Sequence, residues 1–177
     1  KILFESILDE SASNENNSVS EKQKNQAWFY LGKVFYLEQE DALSLETFGK
    51  IDQQVLRQNN EELLYELFYL KGQIALRSKS GESLEQQIGR LPEGHILQNY
   101  LRYNLAVEHI QNANVDVAIT TLRDLLESLN KQIASNKSWW NSTPALLIEL
   151  KALKDQCLLS LGQLYLQEKD HETALHY

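Results

Sequence analysis

The sequence predicts an all-α fold, a row of short antiparallel helical hairpins. Three observations predict it. Apolar residues recur at helical spacing along most of the chain, and no long segment alternates with period two. The 177 residues include only 7 Gly and 2 Pro. Average usage of the two together is about 12%, so a fold with the frequent tight turns of an all-β protein is not expected. The apolar-periodic stretches are also short and separated by short polar breaks, the pattern of helices that fold back on their neighbours.

The elements follow in order. Lys1-Ile2-Leu3-Phe4 reads as the middle of an amphipathic helix, and Ser11–Ser20 is a Ser/Asn/Glu-rich loop. Trp28, Leu31, Gly32 and Phe35 share one face of the next helix. Asp41–Ile51 and Glu61–Leu76 are amphipathic helices, the latter opening on Glu61-Glu62, charges favoured at a helix N-terminus. Ser83–Leu91 is a helix that stops at Pro92-Glu93-Gly94. Leu97–Gln111 follows, and then Asn114-Val115-Asp116 caps Val117–Leu129. Asn130–Thr143 is polar apart from Ile133, Ala134, Trp139 and Trp140. Pro144 suits the first turn of a long helix that runs to Gln167. Asp170-His171 opens a last helix, and both chain ends fall inside helical patterns, so a segment of a longer protein is expected.

The helices repeat. Trp28–Phe35, Phe68–Ala75, Arg102–His109 and Leu158–Tyr165 align, with Gly32, Gly72, Ala106 and Gly162 in register. Successive spacings are 40, 34 and 56 residues, the longest containing the polar Trp-bearing insertion. A small residue at one register lets two helix backbones approach closely, and large apolar residues around it bury the contact. A single hairpin cannot bury its apolar face alone, so neighbours stack.

Trp28-x₂-Leu31-Gly32-x₂-Phe35 and Leu161-Gly162-x₂-Tyr165 resemble the opening of the tetratricopeptide repeat family. Ala118 and Ala174 stand where that family packs a small residue between its two helices, Leu122 and Leu125 follow Ala118, and Phe48 stands at its large apolar site. Phe4 and Ile7 look like the same site in a preceding unit. The unit at 61–94 departs from the pattern, with Lys71 in place of Leu. The resemblance implies a right-handed solenoid over 1–177, with units at 24–56, 61–94, 97–130 and 144–177, a truncated unit at 1–10 and an insertion at 131–143. A related helical-repeat solenoid is the structural alternative.

The resemblance also implies a concave groove lined by each unit's first helix, holding a protein or peptide segment. The helix face left over from packing carries Phe29, Lys33 and Tyr36. Its matches are Tyr69, Gln73 and Leu76, then Tyr103, Val107 and Ile110, then Leu159, Gln163 and Leu166. With Arg77 nearby, the candidate groove is Phe29, Lys33, Tyr36, Tyr69, Gln73, Arg77, Tyr103 and Val107, rich in the Tyr and Arg that anchor interfaces. The same aromatics also suit packing between hairpins. Phe29 and Lys33 stand where the family's carboxylate-clamp binders would need Lys and Asn, so a clamp for a terminal carboxylate is not expected. Trp139 and Trp140 form a second candidate surface, either as an exposed hot spot or as a cover over apolar helices.

Other chemistry is excluded by what the sequence lacks. With 17 Lys+Arg against 25 Asp+Glu, the net charge is −8, the wrong sign for nucleic acid. The one Cys, Cys157, lies in an apolar helical run and reads as a small buried hydrophobe. His171, Glu172 and His176 miss the H-E-x-x-H spacing, and no phosphate-binding or nucleophile-elbow motif occurs. No enzyme activity, cofactor, metal or small-molecule substrate is expected, and membrane contact only indirectly. Two readings stay open: a protein-interaction scaffold, or a structural spacer or oligomerisation element of a larger assembly, a homo-oligomer included. Scarce Cys, abundant Asn and Gln, and the unit spacing resemble bacterial multi-repeat envelope proteins, with the periplasm and the cytoplasm both left open.

Overall fold

The computed structural model describes residues 20–79, 81–135 and 144–177. Phe4, Ile7, Trp139 and Trp140 therefore lie outside the described residues. Among those described, the chain is all-helical, with nine helices and no strand. We number them α1 (Glu21–Leu37), α2 (Asp41–Gly49), α3 (Gln53–Asn59), α4 (Glu61–Ser78), α5 (Leu84–Arg90), α6 (Ile96–Gln111), α7 (Val115–Ser135), α8 (Pro144–Gln167) and α9 (His171–His176). They divide into two compact units, one ending at Arg90 and the other beginning at Leu91.

In the first unit, α1 packs on α2, and α4 packs on α5. The capping box of Ser20 and Gln23 starts α1 by satisfying backbone N–H groups at its first turn. Gly32 then faces Phe48: a Cβ built on Gly32 would stand 2.5 Å from the Phe48 ring. Ser44 lies at the register that Ala118 and Ala174 hold in later units, and its buried hydroxyl donates to the Gly32 carbonyl at 2.9 Å. A small polar residue thus meets the close approach and pairs the polar atom that it buries.

The expected helix Asp41–Ile51 is shorter, and a separate α3 follows it. Asp52 ends the run by capping α3, its carboxylate accepting from the N–H groups of Gln54 and Val55. The Asp52 N–H donates to Asn25 Oδ1 at 2.6 Å, and Asn25 Nδ2 donates to the Glu21 carbonyl at 2.8 Å. Asn25 is buried and ties this break to α1. The additional turn accounts for the long first spacing of the repeat.

The atypical Lys71 of α4 is half-buried, and burial pushes its ammonium pKa down, opposed by the nearby Glu82 carboxylate. Glu82 also binds Arg90 at 2.6 Å and accepts from the buried Gln87 at 2.9 Å. Leu84 fills the small-residue register of this pair and is buried.

In the second unit, α6 packs on α7, α7 and α6 on α8, and α8 on α9. Ala106 and Ala118 belong to one core with Leu122, Leu125, Leu129, Leu150, Leu153, Cys157, Leu161 and Leu164. Each buried leucine contributes about 1.5–3 kcal/mol. Cys157 is an inert member of this core, its thiol pushed up to about 12 by burial. The first part of the expected insertion, to Ser135, continues α7.

The helix pairs share one turn. Gln39, Ala113 and Lys169 have φ of 63°, 59° and 64°. Around them the Glu40, Asn114 and Asp170 N–H groups donate to the Phe35, His109 and Tyr165 carbonyls at 2.9, 2.8 and 2.9 Å. These are the bonds of a Schellman turn, which closes the last carbonyls of a helix. Lys79, at the matching register after α4, has φ of 54°. All four residues carry a Cβ in the left-handed region, which costs about 1–2 kcal/mol each.

Two predictions follow from these contacts. Gly32→Ala is expected to destabilise the chain by about 1–3 kcal/mol in urea unfolding. Gly162→Ala, whose Cβ would meet nothing closer than 3.7 Å, is expected to be neutral or stabilising by up to about 1 kcal/mol. Separately, Ala113→Gly is expected to raise stability by about 1 kcal/mol, because Gly adopts the turn conformation without the Cβ clash. A loss of stability on Ala113→Gly would contradict the strain assigned to the turn.

Candidate partner-binding face

The expected groove residues and their matches lie at corresponding registers of α1, α4, α6 and α8, with Arg77 beside those of α4. The structure treats the four sets differently. On α1, Phe29 is fully buried, with ring contacts to Tyr30 at 5.3 Å and Phe48 at 6.2 Å. The expectation that Phe29 lines a groove is therefore corrected: the α1–α2 contact needs a large ring there. Lys33 is spent on an ion pair with Glu66 of α4 at 2.6 Å. Tyr36 carries the Arg77 guanidinium over its ring at 4.9 Å. Arg77 donates to both oxygens of Asp41, its Nε at 3.1 Å, and reaches the Tyr36 carbonyl at 3.4 Å. These residues join α1, α2 and α4 rather than stand free.

On α4, Tyr69, Gln73 and Leu76 are half-buried, and Gln73 Nε2 is buried with no hydrogen-bond partner. On α6, Tyr103, Val107 and Ile110 are half-buried, and the Tyr103 hydroxyl lies 3.1 Å from Ser160 Oγ of α8. On α8 the face is open. Leu159 is 64% exposed and Leu166 54%, with exposed Gln163 between them. Ile148, eleven residues before Leu159 on the same side of α8, is 67% exposed, with exposed Ala152 and Asp155 between them. The sequence aligned Leu159 and Leu166 with the groove face. It gave no sign that theirs is the set left open, because that depends on which helix covers each face. Ile148 lies before the aligned stretch and had no signal of its own.

The far end of α8 is fixed by an aromatic cluster. Tyr165 and Tyr177 stack at 5.7 Å and 2°, Arg123 lies over the Tyr165 ring at 5.5 Å, and its Nε donates to the Tyr177 hydroxyl at 3.2 Å. This cluster joins α7, α8 and the end of the chain, and holds α8 where its open side is presented.

A cleft of about 330 Å³ between α6 and α7 is lined by Glu93, Arg102, Asp124, Glu127, Ser128 and Lys131, with Glu127 and Lys131 paired at 2.6 Å. Among the described residues, no group of three or more His, Cys, Asp or Glu side chains is placed to hold a metal ion. Nor, among them, is any helix long and apolar enough to cross a membrane. No protein-family model, curated protein or solved structure matches the chain.

The Asp41–Arg77 contact gives a pH dependence. Hydrogen bonds from Arg77 hold the Asp41 carboxyl below its usual value, against the opposing effect of burial. A depressed carboxyl pKa stabilises the fold above the unfolded value near 4, and that contribution is lost as pH falls through the folded value. Arg77→Gln is therefore expected to cost about 0.5–1 kcal/mol at pH 7, with the gap to the parent chain closing below about pH 4. Urea unfolding at pH 7 and pH 3 checks this, and an equal gap at both values would contradict it.

Proposed function

We propose that the chain is a non-enzymatic protein-interaction scaffold, made of tetratricopeptide-like hairpins stacked in a right-handed solenoid. The three-fold recurrence of one turn, with a left-handed residue at the same register in all four units (Gln39, Lys79, Ala113 and Lys169), supports the hairpin reading. One observation carries the functional reading. The side chains at corresponding registers are buried or half-buried on α1, α4 and α6 and open on α8, with Leu159 and Leu166 both more than half exposed. Exposed large apolar side chains at helical spacing are the kind of surface that a partner covers. The partner is thus held on α8, and the aromatics Tyr69 and Tyr103 serve the packing of the hairpins themselves.

A second reading, the structural spacer or oligomerisation element, is favoured by one observation. Lys33–Glu66 and Tyr103–Ser160 show the same face at work between helices of one unit. Light scattering on the isolated chain separates the two, since a spacer of this kind forms a stable oligomer.

The scaffold reading is tested by capture from an extract of the source organism. Leu159→Glu with Leu166→Glu is expected to abolish capture of a specific partner while leaving helix content and unfolding midpoint unchanged. Tyr69→Ala with Tyr103→Ala is expected to lower stability by about 2–4 kcal/mol and to leave capture intact below the unfolding transition. Capture that survives the leucine changes and fails with the tyrosine changes would overturn this assignment of the binding face.

A further inference from the structure

We infer that the cleft between α6 and α7 is a binding site for a free basic α-amino acid, a small molecule that brings one carboxylate and two cationic groups. The site is separate from the open side of α8, and its failure would leave the scaffold reading standing.

The packing of α6 on α7 sets the positions. Asn99, in the first turn of α6, donates through Nδ2 to Oε1 of Gln132, in the last turn of α7, at 3.1 Å, so the two helices run antiparallel. Arg102, three residues on along α6, is thereby level with Ser128, four residues back along α7. Both line the cleft. Asp124 lies one turn further along α7, and the Glu127–Lys131 pair, with Glu93 close to Lys131, lies toward the other end. From Asp124 to Lys131 the cleft follows α7 for about 10 Å at 1.5 Å per residue. Its volume of about 330 Å³ stands at the small end of ligand sites.

Two donors in the middle of the cleft are unspent. Among the described residues, half-buried Arg102 has neither a hydrogen bond nor an ion pair. Thr120 and Thr121 of α7 donate their hydroxyls to the carbonyls of Asp116 and Val117 at 2.9 and 2.8 Å. Ser128 does not. Its Oγ accepts from Gln132 Nε2 at 3.1 Å, and its hydrogen has no acceptor among the described residues. Gln132 is held in place by Asn99, which is fully buried and leaves its own Oδ1 unpaired, a costly way to fix one amide. A guanidinium fork beside an oriented hydroxyl is a donor set for a carboxylate.

Charge sets the rest of the ligand. Lys131 neutralises Glu127 at 2.6 Å. That leaves Arg102 flanked by Glu93 and Asp124, neither of them in an ion pair among the described residues. Nor, among those residues, do three acidic or His side chains converge on one point, so the two carboxylates suit cations spaced along one molecule. A neutral zwitterion leaves one carboxylate unmatched. A basic amino acid meets all three charges, its carboxylate at Arg102 and Ser128 and its two cations at Glu93 and Asp124.

NMR titration of L-lysine and of L-arginine into the full 177-residue chain, at about 150 mM salt to screen loose attraction, tests the assignment. Saturable binding of at least one of them is expected below about 10 mM. Norleucine lacks the side-chain cation and cadaverine lacks the carboxylate, and each is expected to bind at least about tenfold more weakly than lysine. Arg102→Gln and Asp124→Asn are each expected to weaken lysine at least about tenfold, with helix content and unfolding midpoint unchanged. Norleucine or cadaverine binding as tightly as lysine would overturn the match of charges. Lysine binding that survives Arg102→Gln would overturn the assignment to this cleft, and binding that survives Asp124→Asn would overturn the place given to the second cation. Nα-acetyl-lysine binding more tightly than lysine would overturn the free amino acid in favour of a lysine at the C-terminal end of a partner chain. No saturable binding of lysine or arginine would overturn the inference.

Discussion

The structure of the first unit depends on one close contact, the ring of Phe48 lying where a Cβ of Gly32 would be. Only a glycine at that register lets α1 and α2 approach so far, and the approach brings Ser44 within 2.9 Å of the Gly32 carbonyl. With two helices held at that spacing, the turn between them has little freedom. It closes through the Phe35 carbonyl, with Gln39 in the left-handed region despite its Cβ. The strain of about 1–2 kcal/mol in such a turn is offset by the buried surface that the turn allows. In the second unit the same two registers hold Ala106 and Ala118, both fully buried in one core.

The pairing of helices leaves each first helix with a second side, and the chain uses that side in two ways. On α1 and α6 it meets the next long helix of the same unit through specific polar contacts: Lys33 with Glu66, Arg77 with Tyr36 and Asp41, and Tyr103 with Ser160. Exposed ion pairs of this kind contribute little to stability, but they fix the register at which the helices meet. On α8 the polar residues give way to leucines, and the leucines are open to solvent.

Much of the fold was legible in the sequence, because helical periodicity and small-residue register are local signals. Pro144 to Gln167 was read to the residue, since a proline marks its start and a polar turn its end. The break after Gly49 was missed. It depends on Asp52 capping α3 and on the Asn25 bond across to α1, a contact between residues distant in sequence. Ser44 escaped notice because the register asks for a small residue and a serine there was not sought. The candidate site was half legible. Alignment put these residues at one register of four helices, but it does not say which of them are buried. Phe29, expected in the groove, is fully buried, while Leu159 and Leu166, its matches on α8, are exposed. Which helix covers which face is a tertiary fact, and periodicity along one helix does not carry it. Trp139 and Trp140 lie outside the described residues.

Hydroxyl-radical footprinting of the free chain tests the central claim most directly, because it reads side-chain exposure without needing a partner. The account predicts strong labelling of Ile148, Leu159 and Leu166, and protection of Phe29 together with the core leucines Leu150 and Leu161, once intrinsic reactivities are divided out. Protection of Leu159 and Leu166 to the level of Leu150 and Leu161, in a chain that light scattering finds monomeric, would contradict it.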